Sequence, residues 1–243
     1  MRGIGKKKLY KKQTFSTSQS KMFFENLYLS EDPWESRNSI WGGVLRTTLQ
    51  EVFENRTFTN GIDIGCGEGH LISSMNLSEH TVGVDISATA ILRAKNNYPD
   101  INFIQNDIRD PFGNKNKFNI VTAFDFLYYF EEDEVSDVLK NIKQLGEKSA
   151  TFAFSIVVDP YYSQDRTYFD LNYWLTTISK EFKIVSVRVI EYNVQKSRFA
   201  CYIHAIKSKV LSKRYQILTL KKSLERIPLS EAAKVLVIAE SND

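Results

Sequence analysis

The sequence predicts an α/β protein built on a doubly wound, mostly parallel sheet with helices on both faces. Three observations carry that prediction. From residue 60 onward, short apolar runs alternate with longer stretches of helical apolar spacing, the pattern of parallel strands joined by right-handed crossovers. Three glycines, Gly65, Gly67 and Gly69, crowd the first turn from strand to helix. Late in the chain, two strand-like runs at 182–192 and 198–207 are joined by so short a connection that they must pair antiparallel.

The elements follow in order. Residues 22–55 read as helical ahead of the sheet, with Phe23, Phe24, Leu27, Val44, Leu45 and Leu49 at near-helical spacing. Residues 61–64 make the first buried strand, and residues 68–77 the helix after it. Residues 81–85 are the second strand, after which Ser87 caps a helix running to Asn97. Residues 101–105 and 118–124 are the third and fourth strands. Val135, Val138, Leu139, Ile142 and Leu145 give the helix 132–145 one apolar face, and 150–156 is the fifth strand. A loop from Val157 leads to a helix over about 168–180. Residues 211–240 read as one or two helices broken at Pro228, with Ser230 as a second cap. Nothing repeats and no proline- or serine-rich linker intervenes. The expected organisation is a basic tail (1–21), one domain (22–208) and a C-terminal helical extension (209–243).

Composition excludes several classes. A chain of 243 residues with 42% apolar content can bury a large core, which sets disorder aside. No window approaches the ~20 apolar residues of a membrane-spanning helix, and the basic start lacks the apolar run of a secretory signal. Two cysteines, Cys66 and Cys201, form no disulfide framework, and with three histidines they make no plausible zinc set. The expectation is a soluble, cytoplasmic protein without a metal, a monomer or homodimer. Charge is uneven: residues 1–21 hold seven basic residues and no acid, and residues 207–226 hold seven against Glu225 alone. Basic ends on an acidic body suit either a polyanion partner or plain solvation.

The chemistry concentrates at Asp63-Ile-Gly65-Cys66-Gly67-Glu-Gly69. Glycines here remove side chains where the chain turns sharply and where a ligand must approach the backbone. The turn sits at the carboxyl end of the first strand, where doubly wound sheets bind ligands. Asp85 ends the second strand 20 residues after Gly65, where a carboxylate can accept from ribose hydroxyls. Asp107 follows the third strand, placed to take the exocyclic amine of an adenine. The spacing is neither G-x-G-x-x-G nor the phosphate loop that ends in G-K-[ST].

An acidic residue followed by G-x-G-x-G resembles the first motif of the class I S-adenosylmethionine-dependent methyltransferases, and the resemblance spans about residues 60–206. It implies a Rossmann-like seven-stranded sheet, closed by an antiparallel strand from the C-terminal hairpin. It implies that Asp63, Gly65, Cys66, Gly67 and Gly69 shape the pocket for the methionine part of S-adenosylmethionine. Asp85 would hold the ribose, Ile86 would pack on the adenine, and Asp107 with the Ile108 amide would bind its edge. In the family the segment from Phe124 faces sulfonium and acceptor. There Asp125 is the first candidate for a general base, or else an orienting group, and Tyr128 stands next to it. The run Leu127-Tyr128-Tyr129 with Asp32-Pro33-Trp34 is similar to small-molecule members, including nodulation-type N-methyltransferases of chitin oligosaccharides. Trp34, Arg37, Tyr129, Tyr161, Tyr162 and Arg166 are candidate acceptor contacts or plain packing. The expected activity is methyl transfer to oxygen or nitrogen of a small metabolite such as a sugar or nucleotide sugar, with S-adenosylhomocysteine as product. RNA methylation through the basic segments and a non-catalytic cofactor-binding role are the alternatives.

Overall fold

In the computed structural model, which describes residues 17–34, 36–37, 39–75, 78–110, 112, 117–158, 170–192 and 213–242, the alternation seen in the sequence becomes a seven-stranded sheet. Its strands are β1 (Phe58–Ile64), β2 (Ser78–Asp85), β3 (Asn102–Gln105), β4 (Phe118–Phe124), β5 (Gly146–Val157), β6 (Phe182–Tyr192) and β7 (Ala232–Ser241), in the order β3-β2-β1-β4-β5-β7-β6. The first five pair in parallel, and β7 runs antiparallel between β5 and β6.

The helices are α1 (Thr17–Leu27), α2 (Ile40–Val52), α3 (His70–Met75), α4 (Ala88–Asn97), α5 (Glu132–Leu145), α6 (Leu171–Ser179) and α7 (Lys213–Leu224). Ser87 caps α4 as expected, its hydroxyl accepting from the Ala90 N–H. Acidic residues fill the first turn of α5, where the helix dipole favours them.

Strand alternation sorts the core into two layers. Ile62, Ile64, Val121, Ala123, Phe152, Phe154, Val235 and Val237 face the apolar side of α5 and Trp174 and Ile178 of α6. Ile120, Phe124, Ala153, Leu236 and Ile238 face Val44, Leu45 and Leu49 of α2 and Leu220 and Leu224 of α7. A smaller cluster seats Ile91 and Ala94 of α4 on Phe103 and Cys66.

One expectation is corrected. The seventh strand comes from residues 232–241, where a second terminal helix was expected, so the 209–243 segment supplies a strand that inserts between β5 and β6. The run Val235-Leu236-Val237-Ile238 is buried on both sides, and such unbroken apolar runs suit either a covered strand or a buried helix. Flanking partners decide: Val237 lies between Phe154 of β5 and Val187 of β6. The expected strand at 198–207 lies outside the described residues. Among the described residues, no helix is long and apolar enough to cross a membrane.

Candidate active site

The glycine loop leaves β1 and turns into α3 with Gly65, Gly67 and Gly69 at φ values of 76°, 55° and 79°. Side chains rarely adopt those left-handed values, and a Cβ at Gly67 would lie 2.5 Å from the Tyr28 hydroxyl. The loop is fixed by β2, since the N–H groups of Gly65 and Cys66 donate to the Val84 carbonyl at 2.7 and 3.0 Å. The carboxylate of Asp85, 7% exposed, accepts from the N–H groups of Gly67 and Ser87, each at 2.9 Å. Burial pushes its carboxyl up to about 6 against the pull of those amides. Asp63 lies beneath the loop and accepts from the Thr122 hydroxyl at 2.6 Å, with burial raising it to about 7. Burial also pushes the Cys66 thiol well up, which leaves it unreactive.

On the adenine side, Asp107 has a partner of its own. The Asp107 carboxylate is gripped by Arg109, whose Nε reaches both oxygens at 3.0 and 3.1 Å and whose Nη2 donates to Oδ2 at 2.7 Å. The group expected to read an amine is thus already in a bidentate ion pair. Ile108 lies in the core, and Ile86 is half-buried at the rim. Phe124 packs in the α2–α7 layer, and the ring that meets the glycine loop is Phe126, 2.5 Å from where a Gly65 Cβ would stand.

A polar network ties the N-terminal segment to this loop. The buried Glu68 accepts from Arg93 at 2.8 Å and from the Asp32 N–H at 3.2 Å, and its Oε2 lies 3.1 Å from His70 Nε2. The Tyr98 hydroxyl lies 2.8 Å from His70 Nδ1, so the imidazole has a polar partner on each ring nitrogen. Asp32, at φ 41°, accepts in turn from the N–H groups of Ser36 and Arg37. The Asp32-Pro33-Trp34 turn therefore hangs from the glycine loop and brings the Arg37 guanidinium 3.3 Å from His70.

Beside the loop, Tyr129 gathers Phe24, Trp34 and Tyr128 at ring separations of 5.0, 6.3 and 4.6 Å. Asp125 directly follows β4 at φ 53°, a conformation uncommon outside glycine and often found at functional positions. Its Oδ1 accepts from the Ser155 hydroxyl at 2.9 Å, and its Oδ2 from Lys234 Nζ at 2.7 Å. The structure therefore brings together Asp63, the three glycines, Asp85, Trp34, Arg37, Asp125, Tyr128 and Tyr129 at one edge of the sheet. Tyr161, Tyr162 and Arg166 lie outside the described residues. Sequence reasoning missed Tyr28, Glu68, Phe126 and Lys234. Lys234 was hidden because its strand read as a helix, and Tyr28 carries no signal beyond the spacing of α1.

The donor set fits an adenosyl sulfonium cofactor. A carboxylate taken out of water and held by backbone amides at the end of β2 suits a ribose diol.

Residues 62–148 match the family model of a methyltransferase domain. No curated protein matches the sequence. Among solved structures, the chain is similar to the N-methyltransferase NodS of Bradyrhizobium japonicum WM9 in complex with S-adenosyl-L-homocysteine, at 15% identity and a TM-score of 0.67 over 94% of this chain and 100% of that one. It is similar to the [4+2]-cyclase SpnF at 13% identity and a TM-score of 0.62, over 96% and 99% of the two chains. A TehB-like methyltransferase of Corynebacterium glutamicum matches at 12% identity and a TM-score of 0.57, over 93% and 98%. Identities this low speak for the fold, while the family model speaks for the domain. Because the matched segment runs from β1 into β5, residues 62–148 of this chain match a methyltransferase domain laid over the parallel half of the sheet.

Proposed function

We propose that this chain binds S-adenosylmethionine along the glycine loop and Asp85 and transfers its methyl group to nitrogen or oxygen of a small-molecule acceptor. The observation that carries the reading is the buried Asp85 carboxylate, held by the Gly67 amide at the end of β2. When bound, the cofactor supplies a methyl group on a positively charged sulfur, an electrophile that needs no covalent activation. The protein then has to align, enclose and exclude water.

Its residues are suited to those tasks. Asp85 accepts from the ribose hydroxyls, and the glycine loop admits the methionine part. Tyr28 and Phe126 cover the loop with rings. Trp34 and Tyr129 offer a stacking surface beside Asp125 for a ring-shaped acceptor such as a sugar or nucleotide sugar. Both Asp125 oxygens already accept from Ser155 and Lys234, which favours an electrostatic role over proton abstraction. RNA methylation draws on the exposed Arg214, Lys222 and Arg226, although Lys221 on the same helix is paired with Glu51.

Calorimetry with S-adenosylmethionine and S-adenosylhomocysteine tests the first half, and failure of folded protein to bind either would overturn it. A labelled-methyl screen over amino sugars, nucleotide sugars, small acids and RNA tests the second. Small-molecule turnover is expected, and RNA affinity that falls steeply with salt would move the acceptor to nucleic acid.

A further inference from the structure

Across the carboxyl edge of the sheet, beyond the glycine loop, runs a row of charges. Lys234 stands at the start of β7, opposite Val157 of β5 and Glu191 of β6. Its Nζ lies 2.7 Å from Asp125 Oδ2 and 3.8 Å from Glu191 Oε2. Only 15% of the lysine side chain and 3% of the glutamate's is exposed, against 42% for Asp125. Burial works against the ammonium, but Asp125 and Glu191 outweigh it and hold Lys234 protonated above its ordinary range. Lys234 is thus a fixed buried cation pinned between two carboxylates.

Asp125 is its outward-facing partner. The residue is locked by its left-handed backbone, by its N–H donating to the Ser155 hydroxyl at 2.8 Å, and by the Ser155 hydroxyl returning to Oδ1. The next residue, Phe126, lays its ring on Gly65. The carboxylate therefore follows β4 beside the ring that covers the glycine loop, and its charge is held there by the Lys234 counter-charge.

We propose that Lys234 is a positioning residue that sets how much negative charge Asp125 presents to the cofactor's sulfonium, and with it the preference of the site for the methylated over the demethylated cofactor. The inference rests on the reading that this loop binds S-adenosylmethionine. The two cofactor forms differ by one methyl group and one positive charge, so the ratio of their affinities reports the local potential. A purely structural role would move both affinities together. Two unit charges a few ångströms apart near a protein surface interact strongly enough to change an affinity about tenfold.

The test is calorimetric Kd for S-adenosylmethionine and S-adenosylhomocysteine on the full chain and on Asp125→Asn, Lys234→Met and Lys234→Arg, each with a melting curve. Asp125→Asn is expected to weaken the sulfonium form about tenfold relative to the neutral one, by loss of the attracting charge. Lys234→Met is expected to shift the ratio several-fold the other way, and Lys234→Arg to leave it within about twofold, as a preserved counter-charge requires. If Lys234→Met does not fold, Lys234→Gln takes its place, since it removes the charge but keeps a group that can bond Asp125 and Glu191. Ratios unchanged in the folded variants, or moved in the opposite sense, would overturn the proposal. A parent that binds neither molecule would overturn the cofactor reading and this inference with it.

Discussion

Asp85 and Asp63 sit back to back under the glycine loop, both stripped of water and both raised by it, to about 6 and about 7. An unfolded aspartate titrates near 3.9, so each folded carboxyl binds its proton more readily than the unfolded one. Keeping these groups charged costs stability above those values, and the cost disappears as the pH falls through them. Asp85→Asn should therefore melt above the parent at pH 8, with the gap closing towards pH 5; scanning calorimetry across that range measures it. Cofactor affinity should run the other way. Two ribose hydroxyls donate best to an ionised carboxylate, so parental affinity for S-adenosylhomocysteine should fall below pH 6. Asp85→Ala should cost about 1.5–3 kcal/mol of binding at pH 7.5, the value of hydrogen bonds to a charged group. Glu68 has a different task. Its carboxylate is the shared acceptor of Arg93 and the Asp32 amide, and Glu68→Ala should lower stability by about 3 kcal/mol in urea titrations, as loss of one partner in a buried ion pair does.

Among the elements, β7 carries the most consequence for its length. It bonds on both sides, with Val237 facing Phe154 and Val187, so a proline there removes a ladder bond and strains the backbone. Val237→Pro should cost at least about 3 kcal/mol and abolish the cooperative transition seen by circular dichroism. This strand also marks where sequence reasoning stops. From β1 to β5 the reading was sound, and β4 and α5 begin and end where the spacing of Phe118 to Phe124 and of Val135 to Leu145 put them. Local periodicity suffices there because each element meets its covering helix soon after it in the chain. β7 arrives after α7 and inserts between two strands made earlier, so its partners are distant in sequence and its apolar run is ambiguous without them. The same limit hid Lys234, whose meaning depends on Asp125, 109 positions away. Gly65, Gly67, Gly69 and Asp85 were legible because they fall within one strand–helix–strand unit. The grip of Arg109 on Asp107 was not, since spacing does not reveal which of several donors a carboxylate takes.

At the scale of the whole molecule, the working groups occupy one edge of the sheet, and α1 comes from before the sheet to lie over that edge. It is fastened by Glu25, whose carboxylate accepts from the N–H groups of Ala88 and Thr89 and from the Ser87 hydroxyl at the start of α4. Partial burial pushes that carboxyl up, but the bonds from Thr89, Ala88 and Ser87 prevail and hold it below the usual range. From the same helix Phe24 rests on Tyr129, and just beyond its end Tyr28 rests on Gly67. A clasp of this kind governs time as well as shape. On the proposed reading, spent cofactor bound beneath α1 is expected to leave only once the clasp at α4 opens, and opening of this kind can limit turnover. Glu25→Gln keeps the size of the side chain but weakens its hold on the positive end of α4. Stopped-flow displacement should then find S-adenosylhomocysteine leaving about tenfold faster, the equivalent of roughly 1.4 kcal/mol, and steady-state turnover should rise with it: loosening the cover would make the catalyst quicker and its grip on the spent donor briefer.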